Sequence, residues 1–483
     1  MEKNNSPLKA GVGYTISNFI VKGMVFLTTP IFTRLMTSED IGSYSNIQSW
    51  FSILAILVTV ELYSSVQLAQ FDYKDCLDEY IASNLILGTI ITGAFYSIIL
   101  IFKNFFVGLF LIDFDMINIL FIYLLVYPAI QMFQIRNQLR FDYIPNMVVS
   151  IGSSVVATVV SLILAIVCND ALRGRVYGYY VPLIIITAFI YIFLIVRAKG
   201  RISNKYWRYA LSISFPLIWH LLASNILNSS DRIMINSMIG SEENALYSVA
   251  YSCAMIVALL WSSMNSAWSP WAYQRMDAEE YLELKNKSKP YTIFFLAVVF
   301  CFMLLAPEIL LIMGGRSYLS AVYVIPPVMV GYVFQFIYSL YVNIEFYHKK
   351  QVNVAIGTII AAIINIALNY IFIPRFGYIA AAYTTLIGYF ILLVIHYMFV
   401  LKLKKTKWYD TAFFIKCILI TLVGMGCALL FYRLNRIRYC LIVVLLVITI
   451  FVIIKYNKVL LRCIKNRDLS ELKKINVLKR IIK

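Results

Sequence analysis

Apolar residues run through this chain in long blocks, each closed by a short cluster of charged and turn-forming residues. About 20 apolar residues suffice for a helix to cross a bilayer. Blocks of that kind are read at 10–31, 44–66, 80–102, 115–135, 144–167, 176–196 and 209–230. Seven more follow at 245–268, 291–313, 320–343, 352–373, 378–400, 411–432 and 438–454. In hydrocarbon each backbone amide must be bonded within its own segment, so the blocks predict helices rather than strands. The expectation is an all-α polytopic membrane protein with about 14 transmembrane helices. The first block follows Met1–Lys9, contains Lys22 and lacks a small-residue cleavage site, so it is expected to be retained.

Composition agrees. The 483 residues are 61% hydrophobic and 14% charged, with a mean hydropathy of +0.80. A soluble domain is about 45–50% apolar and about 25% charged, so soluble enzymes and nucleic-acid readers are excluded. The formal charge of +18 changes meaning once it is mapped. With an inside N-terminus and alternating loops, roughly thirty basic residues fall in inside segments and about ten outside. Most of the excess is therefore an orientation signal, and both termini are expected in the cytoplasm. The loops are short, the longest spanning Trp271–Pro290, so no extramembrane catalytic domain is expected. Eight scattered cysteines give neither a disulfide framework nor a metal site.

The sequence also repeats itself. At an offset of 203, Ser38-Glu39 meets Ser241-Glu242, and Tyr44-Ser45 meets Tyr247-Ser248. At the same offset Gly174 meets Gly377 and Tyr180 meets Tyr383, and Ile151-Gly152 matches Ile356-Gly357 at 205. Two six-helix lobes are expected, 1–200 and 201–405, with two added helices in 406–455 and a basic amphipathic tail in 456–483. Parallel repeats of this kind enclose a cavity and alternate access by rocking.

The stretch Pro30-Ile31-Phe32-Thr33-Arg34-Leu35-Met36-Thr37-Ser38-Glu39-Asp40-Ile41-Gly42-Ser43-Tyr44-Ser45 resembles the signature of bacterial polysaccharide repeat-unit flippases. Asp231-Arg232-Ile233-Met234-Ile235, followed by Gly240, resembles that family's second element. The family belongs to the multidrug/oligosaccharidyl-lipid/polysaccharide exporter superfamily. Ile41 departs from its usual aromatic residue. The resemblance implies a transporter, not an enzyme, of a bacterial inner membrane. It implies a polyprenyl-diphosphate-linked oligosaccharide substrate for O-antigen or capsule synthesis, with membrane lipids and other polysaccharide-assembly proteins as partners. In agreement, the sequence contains no phosphate-binding G-x-x-x-x-G-K-[ST] loop.

Polar residues within the blocks are the candidate chemistry, because a charge deep in a span costs at least about 2.5–3.5 kcal/mol and usually faces a cavity or a partner. Thr15, Asn18 and Lys22 share one helical face, and His220, Ser224, Asn228 and Asp231 form another, with Arg232 at its edge. Lys22 maps onto Asn225 at the 203 offset. These faces are expected to line opposed walls, with Lys22 contacting diphosphate or pairing with Glu61. Arg34 and Arg232 stand at the outer mouth, as receivers of diphosphate or as anchors. Arg136 and Arg140 stand at the inner end of the fourth helix, as receivers or as topology signals. Glu61, Asp231 and Glu345 are the candidates for H+ or Na+ coupling. Neither a metal site nor a cofactor is expected.

Asn353, Gly357, Ala361, Asn365 and Asn369 recur every fourth residue, a spacing suited to helix packing or sugar contacts. The tail pairs about ten basic residues with an apolar face suited to lipid headgroups. The competing readings are an ion-coupled drug exporter, a peptidoglycan-precursor flippase, and a membrane polymerase or glycosyltransferase. Asp113 and Asp115 are the only acidic pair that hints at the last of these.

Overall fold

A computed structural model describes residues 7–198, 202–403, 408–434, 436–444 and 447. The side chains of Asn18 and Lys22, most of the fourteenth block and the whole basic tail lie outside the described residues.

The described chain is helical. The first half comprises α1 (Pro7–Leu35), α2 (Ser38–Thr59), α3 (Val66–Asp72), α4 (Leu77–Ile101), α5 (Lys103–Phe110), α6 (Phe114–Leu139), α7 (Tyr143–Val167) and α8 (Ala171–Arg197). The second comprises α9 (Asn204–Met238), α10 (Ser241–Asp277), α11 (Tyr281–Leu304), α12 (Ala306–Gly314), α13 (Ile325–Tyr347), α14 (Gln351–Phe376) and α15 (Tyr378–Lys402). After these comes α16 (Thr411–Phe431). Twelve described helical segments are long and apolar enough to cross a membrane, so this is a multi-pass membrane protein. The sequence expectation of about 14 is not reached within the described residues.

The two halves pack alike. In the first, α7 packs on α8, α6 on α8 and α1 on α7; in the second, α14 packs on α15, α13 on α15 and α9 on α14. Even the short helices α5 and α12 occupy equivalent places in the order. Small residues set some of these contacts. A Cβ on Gly174 would lie 2.3 Å from the Leu164 carbonyl oxygen, and one on Gly178 would lie 2.5 Å from the Ser161 Cα. Hence α8 lies with its backbone against α7, the close approach that small residues four apart permit.

Several expected boundaries move. The block 44–66 is not one helix: Val60 and Glu61 both adopt left-handed backbone conformations, ending α2 and starting a tight 3₁₀ turn at Leu62–Ser65. The expected Trp271–Pro290 loop is almost entirely helical, since α10 runs to Asp277 and α11 starts at Tyr281. Polar residues there continue the helices beyond their apolar stretches, which a hydropathy boundary cuts short. For the same reason α8 starts at Ala171 rather than at 176.

Candidate functional site between the two halves

The halves meet where α2 crosses α9 and α10. The start of α2 is fixed locally. Thr37 caps it, accepting from the Asp40 amide at 3.1 Å, while the Asp40 carboxylate accepts from the Thr37 amide at 3.3 Å. This reciprocal capping box satisfies two otherwise orphaned donors. One turn later Gly42 touches the opposite half: a Cβ there would lie 1.7 Å from the Ser241 carbonyl oxygen. Asn244 donates to the Gly42 carbonyl at 2.8 Å, and the Ser45 and Ser248 hydroxyls meet at 2.6 Å. Thr33 of α1 donates to the Met313 carbonyl at 2.6 Å. The Gly42 end of the molecule is thus sealed by backbone and hydroxyl contacts.

Beneath this seal lies a chamber of about 210 Å³, bounded by α1, α2, α8, α9 and α10. Hydroxyls dominate its polar wall, from Ser45, Ser49 and Ser52 on one side and Ser229, Ser248 and Ser252 on the other. Among the described residues two cations enter it, Arg175 from α8 and Arg232 from α9, and no carboxylate lines it. The Arg175 guanidinium is sandwiched between Phe32, 3.9 Å from the ring centre, and Tyr44, at 3.6 Å. Its Nε is buried without a hydrogen-bond acceptor. Arg232 stacks on Tyr251 at 4.5 Å and donates to the Asn228 carbonyl at 3.3 Å. Aromatic faces stabilise guanidinium by about 0.5–2 kcal/mol, yet among the described residues neither arginine forms an ion pair. An anion entering this chamber would find two positive groups, one of them with an unpartnered Nε, and a hydroxyl-rich wall.

Arg232 and Asp231, adjacent in sequence, face different ways. Asp231 points into the second half and is fully buried. Its Oδ2 accepts from Tyr247 and Thr385, each at 2.5 Å, and its Oδ1 accepts from the Asn369 amide at 2.6 Å. Asn369 also bonds Asn365 at 3.3 Å and accepts from Thr384. The every-fourth-residue stripe is therefore a buried face of α14, with Gly357, Ala361, Asn365 and Asn369 enclosed. Asn228 belongs to the same interior, accepting from the Tyr389 hydroxyl at 2.6 Å. Asn225 accepts from Ser229 at 3.2 Å, and His220 lies further along α9 with a buried Nδ1 that has no partner.

The remaining candidates stand apart from the chamber. Arg34 is exposed and donates to the carbonyls of Pro30 at 2.5 Å and Ile312 at 3.1 Å, closing helix ends. Arg136 and Arg140 gather with Arg197 around Asp78 at the opposite end of the first half. Arg136, only 5% exposed, grips both Asp78 oxygens at 2.6 and 3.2 Å, while Arg140 and Arg197 approach at 3.2 and 3.0 Å. Glu61 is engaged within its own turn by Tyr63 at 2.6 Å and Ser64 at 3.3 Å. Glu345 pairs with His396 at 2.6 Å. Asp113 and Asp115 pair with Arg173 at 3.2 and 3.5 Å.

Sequence reasoning missed Arg175, because the apolar window of its helix opened one residue too late. The available signal was Gly174-x-x-x-Gly178, a close-packing pattern that marks those residues as helical and carries the arginine inward.

Residues 8–276, more than half of the chain, match the family described as "Polysaccharide biosynthesis protein". The chain belongs to that family. Among curated proteins, "Lsg locus putative protein 1" of Haemophilus influenzae is 22% identical over 249 residues, covering 49% of this chain and 61% of that one. The chain thus matches less than two thirds of that relative. Among solved structures, "Lipid II flippase MurJ, inward closed conformation" superposes with a TM-score of 0.69 and 16% identity, over 93% of this chain and 100% of that one. An outward-facing "multidrug resistance MATE family transporter of the MOP superfamily" gives 0.61 and 15%, over 85% and 100%. The chain shares its fold with these two structures.

Proposed function

We propose that the protein flips a polyprenyl-diphosphate-linked oligosaccharide repeat unit from the cytoplasmic to the outer leaflet of the inner membrane, for O-antigen or capsule assembly. The observation that carries this reading is the chamber: among the described residues, one arginine from each half, no carboxylate, and a wall of hydroxyls. Enclosing an unpaired charge is expensive. A diphosphate would offset that cost through charge-assisted hydrogen bonds, which are about twice as strong as neutral ones. Sugar hydroxyls would exchange hydrogen bonds with the serines. A cationic drug would meet repulsion from the same two residues, so the drug-exporter reading is disfavoured.

In this reading lobes 1–200 and 201–405 rock against each other, both termini face the cytoplasm, and the sealed Gly42 end faces outward. The conformation described here then opens toward the cytoplasm, where Lys22 and Asn18 of α1 and the α9 residues Asn225 and His220 would meet the incoming head group. Arg136 and Arg140 serve the inner end as a tied basic cluster. Asp231 and Glu61 are the less suitable coupling candidates, because both oxygens of each already accept hydrogen bonds. The tail would hold anionic headgroups.

The test is a strain in which this protein is the only flippase for its polymer. Its removal should leave repeat units on the inner leaflet, recovered by lipid extraction and inaccessible to an external lectin. Normal surface polymer in that strain would retire the proposal.

A further inference from the structure

We propose that the flank of the Asp78 cluster is a binding site for a zwitterionic phospholipid whose headgroup ends in a primary ammonium. The site lies apart from the chamber and does not depend on what the chamber carries. It sits at the opposite end of the first half, where α3 leads into α4 and α6 ends at Leu139.

Two pockets meet there, of about 420 and 410 Å³. Lys74, Leu77 and Arg140 line both, so the two cations form a shared wall. Gln70, Phe71 and Leu139 complete the first pocket, and among the described residues no carboxylate lines it. The second holds the carboxylates of Asp75, Asp78 and Glu79. The surface thus passes from apolar, across a cationic wall, to acidic. A phospholipid with an ammonium headgroup presents the complementary order: acyl chain, phosphate, ammonium.

The cationic wall has capacity for a phosphate. Lys74 is exposed and, among the described residues, forms no ion pair. Arg140 donates from Nη2 to Asp78 Oδ1 at 3.2 Å, an oxygen that Arg136 already holds. Three arginines share this one carboxylate, which leaves positive charge in excess. Burial and the neighbouring Arg136 hold the Arg140 guanidinium below the usual arginine range. A phosphate relieves that crowding through charge-assisted hydrogen bonds.

The acidic side selects the headgroup. Basic pockets at helix ends suit anionic headgroups in general, but here Asp75 follows Lys74 in the same 3₁₀ turn, Lys74–Cys76. Asp75 is exposed and, among the described residues, has no ion pair. A primary ammonium donates charged hydrogen bonds to a carboxylate. A trimethylammonium has no proton to donate, and a glycerol headgroup has no positive charge. On the apolar side Phe71 is 76% exposed, with Leu68 on the same short helix also exposed. Phe141 and Ile144 continue the exposed apolar surface beyond Arg140. Acyl chains fit that surface, at the level where the spans end.

The test titrates lipids into the purified full chain in detergent, with native mass spectrometry reading the one-to-one adduct. Phosphatidylethanolamine should bind at least ~10-fold more tightly than phosphatidylcholine or phosphatidylglycerol with the same chains, as one charged hydrogen bond implies. Lys74→Glu should weaken the phosphatidylethanolamine adduct at least ~10-fold. Asp75→Asn should lower phosphatidylethanolamine to the level of phosphatidylcholine and leave phosphatidylcholine unchanged. Both side chains are exposed, so both variants should keep the thermal midpoint of the parent protein.

Equal binding of the three lipids overturns the site, as does an adduct of equal strength in the parent and Lys74→Glu. Tighter binding of phosphatidylglycerol than of phosphatidylethanolamine overturns the headgroup assignment. Displacement of the bound lipid by equimolar inorganic pyrophosphate also overturns it, since the pocket would then read phosphate alone.

Discussion

Ser45 and Ser248 stand 203 residues apart in the chain and 2.6 Å apart in space. The separation is the offset of the internal repeat, so equivalent residues of the two halves touch each other at the seal. A contact between equivalent positions is what a two-fold axis between repeats generates.

Ser45→Cys with Ser248→Cys should therefore form a cross-link in the closed state. Transport by the oxidised double variant should fall to background and return on reduction, measured as repeat units reaching the outer leaflet. Free transport by the cross-linked protein would show that this contact never has to separate.

Gly42 admits no side chain, because its Cβ position lies 1.7 Å from a main-chain oxygen that cannot swing away. Gly42→Val should hold the halves apart and increase thiol labelling of a cysteine at Ser248 from outside. Transport should fall with it. Labelling equal to that of the Gly42 parent would mean that the helices shift to absorb the methyl groups.

Arg175→Ala and Arg232→Ala should each lower transport at least ~10-fold, consistent with loss of a charged hydrogen bond of about 1.5–3 kcal/mol. Arg175→Lys should recover only part of it, because an ammonium lacks the planar stacking surface presented to Phe32 and Tyr44. Full activity of Arg175→Ala in a complementation assay would remove the chamber from the mechanism.

Asp231→Asn keeps the shape of the side chain but confronts the Tyr247 and Thr385 hydroxyls with an amide. It should cost about 1–3 kcal/mol, read as a lower thermal midpoint of the purified protein. Transport per folded molecule should fall less than in the arginine variants. The opposite ranking would make Asp231 the coupling carboxylate.

Orientation has a direct check. A cysteine at Asp40 should react with a membrane-impermeant thiol reagent added outside, and one at Leu403 should not. The reverse would invert the topology.

Hydropathy read most of the spans correctly, since a membrane crossing is a local property of about 20 residues. It cut α10 and α11 short and missed Arg175, because polar residues can continue a helix that apolarity no longer marks. The motif Phe32–Tyr44 was legible as a signature but not as a device. Only in three dimensions do its two aromatic residues clasp an arginine from α8. The stripe on α9 was visible, yet its split was not: Asp231 finds Asn369 and Thr385 more than a hundred residues away, while Arg232 turns to the chamber. The acidic partner of Arg136 was hidden for the same reason, Asp78 lying 58 residues upstream.

Because Arg175 rides on the first half and Arg232 on the second, the chamber is a shared possession of the two lobes. Under the proposed function, a motion that parts them would also part its cations and leave a guest held by both with one. Affinity would then decline along the path that exposes the guest to the far side. Departure would be built into opening.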